Sequence, residues 1–261
     1  MTTIYTFVNQ KGGVGKTTTA ISLGAYLAQM NQRVLIVDID PQANATACLG
    51  INHTEIERSI YHSLIGNTPV NDVIFQSRRL NLSLLPSTAA LAGARVELVN
   101  ISDRELILKH MLEPVIHLYD YVLVDCPPSL GLLTLNGLLS AQDGVIIPIQ
   151  CEYLALEGLT SLMKTLDRVQ SGLFPGLSIR GLVMTMFDAR TNLSRDVVDE
   201  VRKHFPSQVF HAIIPRSVRL AEAPSHGLPI SAYAPNSPGA LAYQALAKEI
   251  LEEDHESSSD E

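Results

Sequence analysis

Lys11-Gly12-Gly13-Val14-Gly15-Lys16-Thr17 is the stretch that decides the fold. It follows an apolar extended run, Ile4–Val8, and precedes a segment that reads as a helix, Thr18–Met30. A glycine-rich turn between a strand and a helix holds the phosphates of a nucleotide. Backbone N–H groups converge there, and the helix N-terminus carries about half a positive charge. Glycine at 12, 13 and 15 opens the backbone angles that this convergence needs. Lys16 can reach the β- and γ-phosphates, and the Thr17 hydroxyl can ligate Mg²⁺. The predicted nucleotide-binding set is therefore Lys11, Gly12, Gly13, Val14, Gly15, Lys16, Thr17 and Thr18. The loop departs from the pattern G-x-x-x-x-G-K-[ST]. Position 10 is Gln10 where glycine is required, and a second lysine, Lys11, stands at the head of the loop.

Two apolar runs end in carboxylates. Val34-Leu-Ile-Val-Asp-Ile-Asp40 reads as a buried strand, and so does Tyr121-Val-Leu-Val-Asp125, which Pro127-Pro128 then stops. Open parallel sheets bind ligands outside the carboxyl ends of their strands. Asp38, Asp40 and Asp125 are thus expected to face the same nucleotide, although a single aspartate after a strand is as readily a turn or cap residue. Asp40 is the candidate for positioning the attacking water and a candidate metal ligand. Asp38 is the weaker metal candidate. Asp125 is expected to bind Mg²⁺ through water and to sense the γ-phosphate with Pro127 and Pro128.

Further along, strands are predicted at Leu82–Leu85, Gly144–Gln150 and Gly181–Phe187. Helices are predicted at Ala89–Leu98, Arg104–Leu118, Leu154–Val169, Leu193–Phe205 and from about Gly239 to Glu253. Residues 44–80 read as a looser region. Such alternation implies an α/β fold: a single-domain, three-layer nucleotide-binding unit whose mostly parallel, twisted sheet is flanked by helices. The expected domain spans residues 1–251. Residues 252–261, Glu-Glu-Asp-His-Glu-Ser-Ser-Ser-Asp-Glu, form an acidic tail expected to be disordered.

These features together resemble the deviant Walker A ATPases and, within them, the ParA/Soj partition ATPases. The resemblance runs from about Thr3 to Ala247. It is carried by Lys11–Thr19, Asp38-Ile-Asp-Pro-Gln42, Asp125-Cys-Pro-Pro128, Glu152-Tyr-Leu-Ala-Leu-Glu-Gly158 and Ile214-Pro-Arg-Ser-Val-Arg-Leu-Ala-Glu-Ala-Pro-Ser-His-Gly227. The first is shared across the superfamily, and the last two are specific to the Soj-like branch. The resemblance implies a Mg²⁺-dependent ATPase that closes as an ATP-sandwich homodimer on nonspecific double-stranded DNA and opens on hydrolysis, slow without its partner. A ParB-like, centromere-bound protein would stimulate that hydrolysis. Lys11 would reach across the dimer to the partner's phosphates and, with Lys16 and Asp40, form the catalytic set. Glu152 would sit at the dimer interface near the partner's nucleotide, and Pro215 and Arg216 beside the adenine. The implied location is the cytoplasm, on the nucleoid.

The net charge of −8 opposes DNA binding only as a sum, because recognition follows local potential. Residues 179–220 hold seven Lys or Arg against four Asp or Glu, +3, which leaves −11 for the rest. Composition alone favours a helix face of mixed charge here. By resemblance, Arg190 and Arg219 match DNA-contacting positions, with Arg195 and Arg216 as neighbours. No helix-turn-helix segment precedes the phosphate loop, so binding without sequence preference and without autorepression is expected.

The chain is 46 per cent hydrophobic with no apolar run near the ~20 residues of a membrane span, and it begins with a strand, not a secretory leader. The three cysteines, Cys48, Cys126 and Cys151, are few and widely spaced, which argues for reduced thiols over disulfides or a zinc site. An iron–sulfur cluster shared by two subunits, as in nitrogenase-type relatives, would need two cysteines per chain in suitable context. Cys126 has no such companion. A MinD-like ATPase is an alternative. It would end in a basic amphipathic helix that binds membrane, where this chain is acidic, so no membrane partner is expected. A ParA-like ATPase that positions a protein cluster or organelle is the second alternative.

Overall fold

The computed structural model describes residues 2–259. The chain opens with β1 (Thr3–Phe7), the phosphate loop, α1 (Lys16–Gln29) and β2 (Val34–Asp38). Two short helices follow, α2 (Asn44–Cys48) and α3 (Ile60–Leu64), then β3 (Phe75–Ser77) and β4 (Leu82–Leu85). Next come α4 (Leu91–Glu97), α5 (Ile107–Leu112), β5 (Tyr121–Asp125), α6 (Leu132–Ser140), β6 (Val145–Gln150), α7 (Ala155–Gly172) and β7 (Ile179–Thr185). The chain closes with α8 (Asn192–His204), α9 (Val218–Glu222), α10 (Ile230–Tyr233) and α11 (Pro238–Ser259).

The seven strands form one sheet in the order β3-β4-β2-β5-β1-β6-β7. All neighbours are parallel except β3, which runs antiparallel on the edge beside β4. The expected α/β layering is therefore present. Two apolar layers cover the sheet. In β2, Leu35 and Val37 join the side that packs against α3 to α8, while Val34 and Ile36 join the side under α1, α10 and α11. This is why β2 and β5 read as unbroken apolar runs: both faces are buried, so period-two alternation is lost.

Register sets the site. Phe7 pairs with Asp125, and Asp125 with Asp38, so the ends of β1, β5 and β2 lie abreast. The phosphate loop leaves β1 at the same level.

Three sequence expectations are corrected. The loose region 44–80 contains α2, α3 and β3, all too short for a periodic signal. Helix α6 went unread because Leu132–Ser140 is almost uniformly apolar and buried, leaving no amphipathic stripe. The tail expected to be disordered from residue 252 is instead the continuation of α11 through Ser259. Its acidic residues are used: Arg180 pairs with Glu253 at 2.8 Å and Asp254 at 3.0 Å. Residues 260 and 261 lie outside the described residues. Among the described residues, no helix is long and apolar enough to cross a membrane.

Candidate nucleotide site at the carboxyl ends of the strands

The loop is held from both ends. At its start, the Asn9 amide donates to the Pro148 carbonyl at 2.8 Å, and Asn9 Oδ1 accepts the Lys11 N–H at 3.0 Å. At its end, the Thr185 hydroxyl at the tip of β7 donates to the Val14 carbonyl at 2.8 Å. Gly15 stands at the N-cap of α1 with φ +95°, a left-handed angle closed to most side chains. No side chain caps α1, so its first N–H groups remain available to an anion. Gly12 and Gly13 are exposed, and Val14 is buried and anchors the loop.

Lys16 is 7% exposed, and its ammonium donates to the Lys11 carbonyl at 3.4 Å. Burial pulls its pKa below the ordinary lysine value, with the Asp125 charge opposing. The Thr17 hydroxyl donates to Asp125 Oδ2 at 2.7 Å. Asp125 Oδ1 is fully buried and has no hydrogen-bond partner. Burial first, and the Asp38 charge second, push the Asp125 pKa up to about 8. A buried carboxylate oxygen with nothing to bond to is costly, and a cation held beside Thr17 could relieve that cost. Among the described residues, no group of three or more His, Cys, Asp or Glu is placed to hold a metal ion. Any ion here takes most of its ligands from elsewhere.

Asp38 and Asp40 divide their work. Asp38 is fully buried, and its Oδ2 accepts from both the N–H (2.9 Å) and hydroxyl (2.7 Å) of Thr46, while its Oδ1 accepts the Asp40 N–H at 3.1 Å. Those bonds organise the turn into α2, so Asp38 is a framing residue. Burial raises its pKa to about 7 against the pull of the Thr46 bonds. Asp40 uses Oδ1 to accept the Gln42 N–H at 2.9 Å, and the Ser87 hydroxyl donates to its carbonyl at 2.7 Å. It is 5% exposed and reaches the site from the loop after β2.

Lys11 is exposed at the head of the loop, and its ammonium is ion-paired with Glu152 of the same chain, just after β6. Beyond Glu152, Tyr153 is 82% exposed and Leu154 is 52% exposed. A cavity of about 390 Å³ opens between α1, the end of β7 and α9. Gly15, Thr18, Met186, Pro215, Arg216 and Tyr243 are among its lining residues. Its position beside the loop and its apolar walls suit a flat base, and Pro215 and Arg216, expected beside the adenine, are among the residues that line it.

The four arginines singled out for nucleic acid lie on neighbouring segments. Phe187 bridges Pro215, and the Arg216 N–H donates to the Phe187 carbonyl at 2.9 Å, which sets residues 187–195 beside 214–219. All four are exposed. Arg190 pairs with Asp188 at 2.7 Å, Arg219 pairs with Glu222 at 2.9 Å, and Arg195 donates to the Ala189 carbonyl at 2.7 Å. Arg180, counted in the same basic stretch, points elsewhere: it is bound to the end of α11.

Sequence reasoning missed Asn9, Thr46 and Thr185. Thr185 carried a faint signal, a hydroxyl at the end of an apolar strand. Cys126 and Cys151 are buried and Cys48 is half-buried, all as free thiols, and Cys126 packs in the core.

A family model described as an AAA domain matches residues 2–179. The sporulation initiation inhibitor protein Soj of Bacillus subtilis is 53% identical over 247 residues, 95% of this chain and 97% of that protein. The chromosome partitioning protein ParA of Myxococcus xanthus is 50% identical, covering 94% of this chain and 87% of that protein. The chain belongs to the Soj/ParA family of chromosome-partitioning ATPases. Among solved structures, the cobyrinic acid a,c-diamide synthase of Mycobacterium smegmatis with bound ADP and magnesium superposes with a TM-score of 0.85. It is 37% identical and matches 96% of this chain and 94% of its own. The septum site-determining protein MinD of Pyrococcus horikoshii with Mg-ADP has a TM-score of 0.78 at 27% identity, with 96% of each chain matched.

Proposed function

We propose that this partition ATPase binds ATP with Mg²⁺, closes as a homodimer around two nucleotides, and in that form binds double-stranded DNA without sequence preference. Hydrolysis, stimulated by a ParB-like centromere-bound partner, then releases the DNA and leaves the protein distributed in the cytoplasm and on the nucleoid. The observation that carries the nucleotide reading is the orphaned Asp125 Oδ1 beside the Thr17 hydroxyl and the buried Lys16 ammonium.

Residues and cofactor fit. The free N–H groups from Gly12 to Thr18 take the phosphate oxygens, and Lys16 lies against the β- and γ-phosphates. Thr17 and Asp125, the latter through water, with Asp40 at the rim, would hold magnesium, which usually keeps several waters and takes only one or two carboxylates. When bound, magnesium neutralises charge on the β- and γ-phosphate oxygens. Asp40 orients the attacking water. The base would lie in the cavity lined by Met186, Pro215 and Arg216.

Lys11 links turnover to assembly. In the single chain its ammonium is satisfied by Glu152. In the dimer it exchanges that carboxylate for the partner's phosphates, and Glu152 faces the partner's nucleotide. Each active site is then complete only when two chains meet. Two copies of Arg190, Arg195, Arg216 and Arg219 on one face roughly add their phosphate contacts and steepen the salt dependence.

The test measures dimer mass, turnover and affinity for random-sequence duplex DNA, with ATP and with ADP at two salt concentrations. Wild type should dimerise and bind DNA only with ATP. Lys11→Ala should lose dimerisation and turnover together, and Arg219→Ala should keep both while losing DNA. A Lys11→Ala protein with wild-type dimerisation and turnover ends the trans-acting role. A wild type that binds DNA in no nucleotide state ends the partition mechanism.

A further inference from the structure

The segment that carries Asp40 packs against the segment that carries Arg219, and at Gly50 and Gly227 backbone meets backbone. Helix α2 is locked to the catalytic turn because Thr46, within it, gives both its N–H and its hydroxyl to Asp38 and accepts the Ser87 N–H at 2.9 Å. Just past its end is Gly50, whose φ is +79°. Helix α9 continues into a single 3-10 turn, Ala223–His226, which ends at Gly227, φ +62°. These two helix ends abut. A Cβ on Gly227 would lie 2.6 Å from the Gly50 Cα, and a Cβ on Gly50 would lie 3.0 Å from the Gly227 carbonyl oxygen. No residue with a side chain fits at Gly227 without displacing one helix end from the other.

Arg219 lies at the far side of this contact, on α9, which packs against α11. Leu220 beside it is trapped under the start of α11, where a Cβ on Gly239 would lie 2.7 Å from a Leu220 methyl. Leu220 and Val218 also line the base cavity. Any displacement of α2 that follows Asp40 must therefore be taken up by α9 as a unit, since closely packed elements shift between discrete arrangements and do not deform smoothly.

We propose that the Gly50–Gly227 contact is the coupling element that makes the Arg219 surface respond to the nucleotide state at the Asp38–Asp40 turn. The inference rests on the nucleic-acid reading of Arg219. Nucleotide raises DNA affinity partly by dimerisation and partly by setting α9 through this contact. Only the second part is lost when the contact is altered.

The structure supplies its own control. Gly66 has φ +80°, nearly the angle of Gly50, but a Cβ there would meet no atom within 4 Å. Gly66→Ala thus carries the same left-handed strain with nothing to press upon. Full-length wild type, Gly50→Ala and Gly66→Ala are compared for ATP affinity with a fluorescent ATP analogue, for ATP-dependent dimer mass, and for the ratio of duplex-DNA affinities with ATP and with ADP. Gly50→Ala is expected to bind ATP and dimerise while that ratio falls about tenfold, a typical coupling magnitude. Gly66→Ala should keep the wild-type ratio. A Gly50→Ala protein with the wild-type ratio overturns the proposal, and so does an equal fall in Gly66→Ala. Hydrogen exchange on wild type supplies a readout independent of folding and of DNA. Amides of residues 223–228 should change protection together with those of 44–50 when ATP replaces ADP, and a change confined to 44–50 overturns the proposal. If wild type binds no DNA at all, the partition mechanism fails, and the exchange result still decides the coupling.

Discussion

The two ends of the sheet both bury charge, and they do so in opposite ways. At the amino-terminal end, Arg180 lies between Glu253 and Asp254, donates to the Tyr5 hydroxyl at 2.9 Å, and rests near the rings of Tyr5 and Phe210. Asp254 accepts from Tyr5 at 2.6 Å and from Tyr121 at 2.9 Å. At the carboxyl end, Asp125 and Asp40 act on one buried lysine, the Asp38 charge acts on Asp125, and Asp125 Oδ1 bonds to nothing. The first cluster is closed: its one cation is paired with carboxylates and its donors have acceptors. The second is left open. A closed network of buried charge holds a structure together. An open one stores unfavourable free energy that a ligand of the right charge relieves, which is how stability and function come to oppose each other at a site.

The sharpest way to break this comparison is Asp125→Asn. The change keeps the shape, and an oxygen can still accept from Thr17, but it removes a carboxylate that burial and Asp38 both disfavour. Magnesium-dependent ATP turnover should fall by about 10²–10³, the scale of losing one group that stabilises transferring charge. The melting temperature without nucleotide should stay at or above the wild-type value. A variant that lost both turnover and stability would show that Asp125 is part of a closed network after all. Steady-state ATPase assays beside calorimetry decide it.

The matching change at the other end is Asp254→Ala, and the expectation reverses. It strands Arg180, 17% exposed, and the hydroxyls of Tyr5 and Tyr121. Removing one partner of a largely buried pair costs about 2–3 kcal/mol here, somewhat below the range for fully buried pairs because Glu253 remains. Turnover per folded molecule should stay within about twofold, since no interaction with the reacting phosphate is lost. Denaturant unfolding with and without ATP measures the first quantity and the assay above the second. A fall in turnover at undiminished stability would mean that α11 acts on the site directly, through Tyr243, whose hydroxyl lies 3.0 Å from that of Thr19 on α1.

The open end was legible in the sequence and the closed end was not, for a physical reason. A phosphate loop needs glycines, a lysine and a hydroxyl at fixed spacing along one turn, so Gly12 to Thr17 announce themselves. Strand ends at Asp38 and Asp125 follow from buried apolar runs. Contacts made across the fold leave no such trace. Arg180 and Asp254 are 74 residues apart, and an acidic tail that looks unfolded in isolation becomes helical because a cation waits for it. The division of labour between Asp38 and Asp40 was equally hidden, since it depends on Thr46 folding back onto β2. Lys11 could be read as unusual, but its cis pairing with Glu152 spans the loop after β6 and required coordinates.

Thr185 gives the smallest and most discriminating effect. It sits at the end of the open cluster, but its own hydrogen bond to Val14 is closed and 2% of its surface is exposed. Its methyl group also faces Gly15, where a Cβ would lie 3.8 Å away. Thr185→Val keeps the methyl packing and removes only the bond, leaving the Val14 carbonyl without that donor. The loss of one such bond is about 1 kcal/mol. If the bond merely supports the fold, the whole amount appears as lost stability and ATP affinity is unchanged. If it holds the loop in its phosphate-binding shape, ATP affinity falls about fivefold, because the free loop must then be ordered on binding. The comparison of the two ends predicts the second outcome. Nucleotide titration of Thr185→Val, together with its melting curve in the absence of ligand, separates them. Thr185→Ser, which restores the hydroxyl and removes the methyl, should recover the affinity and not the packing.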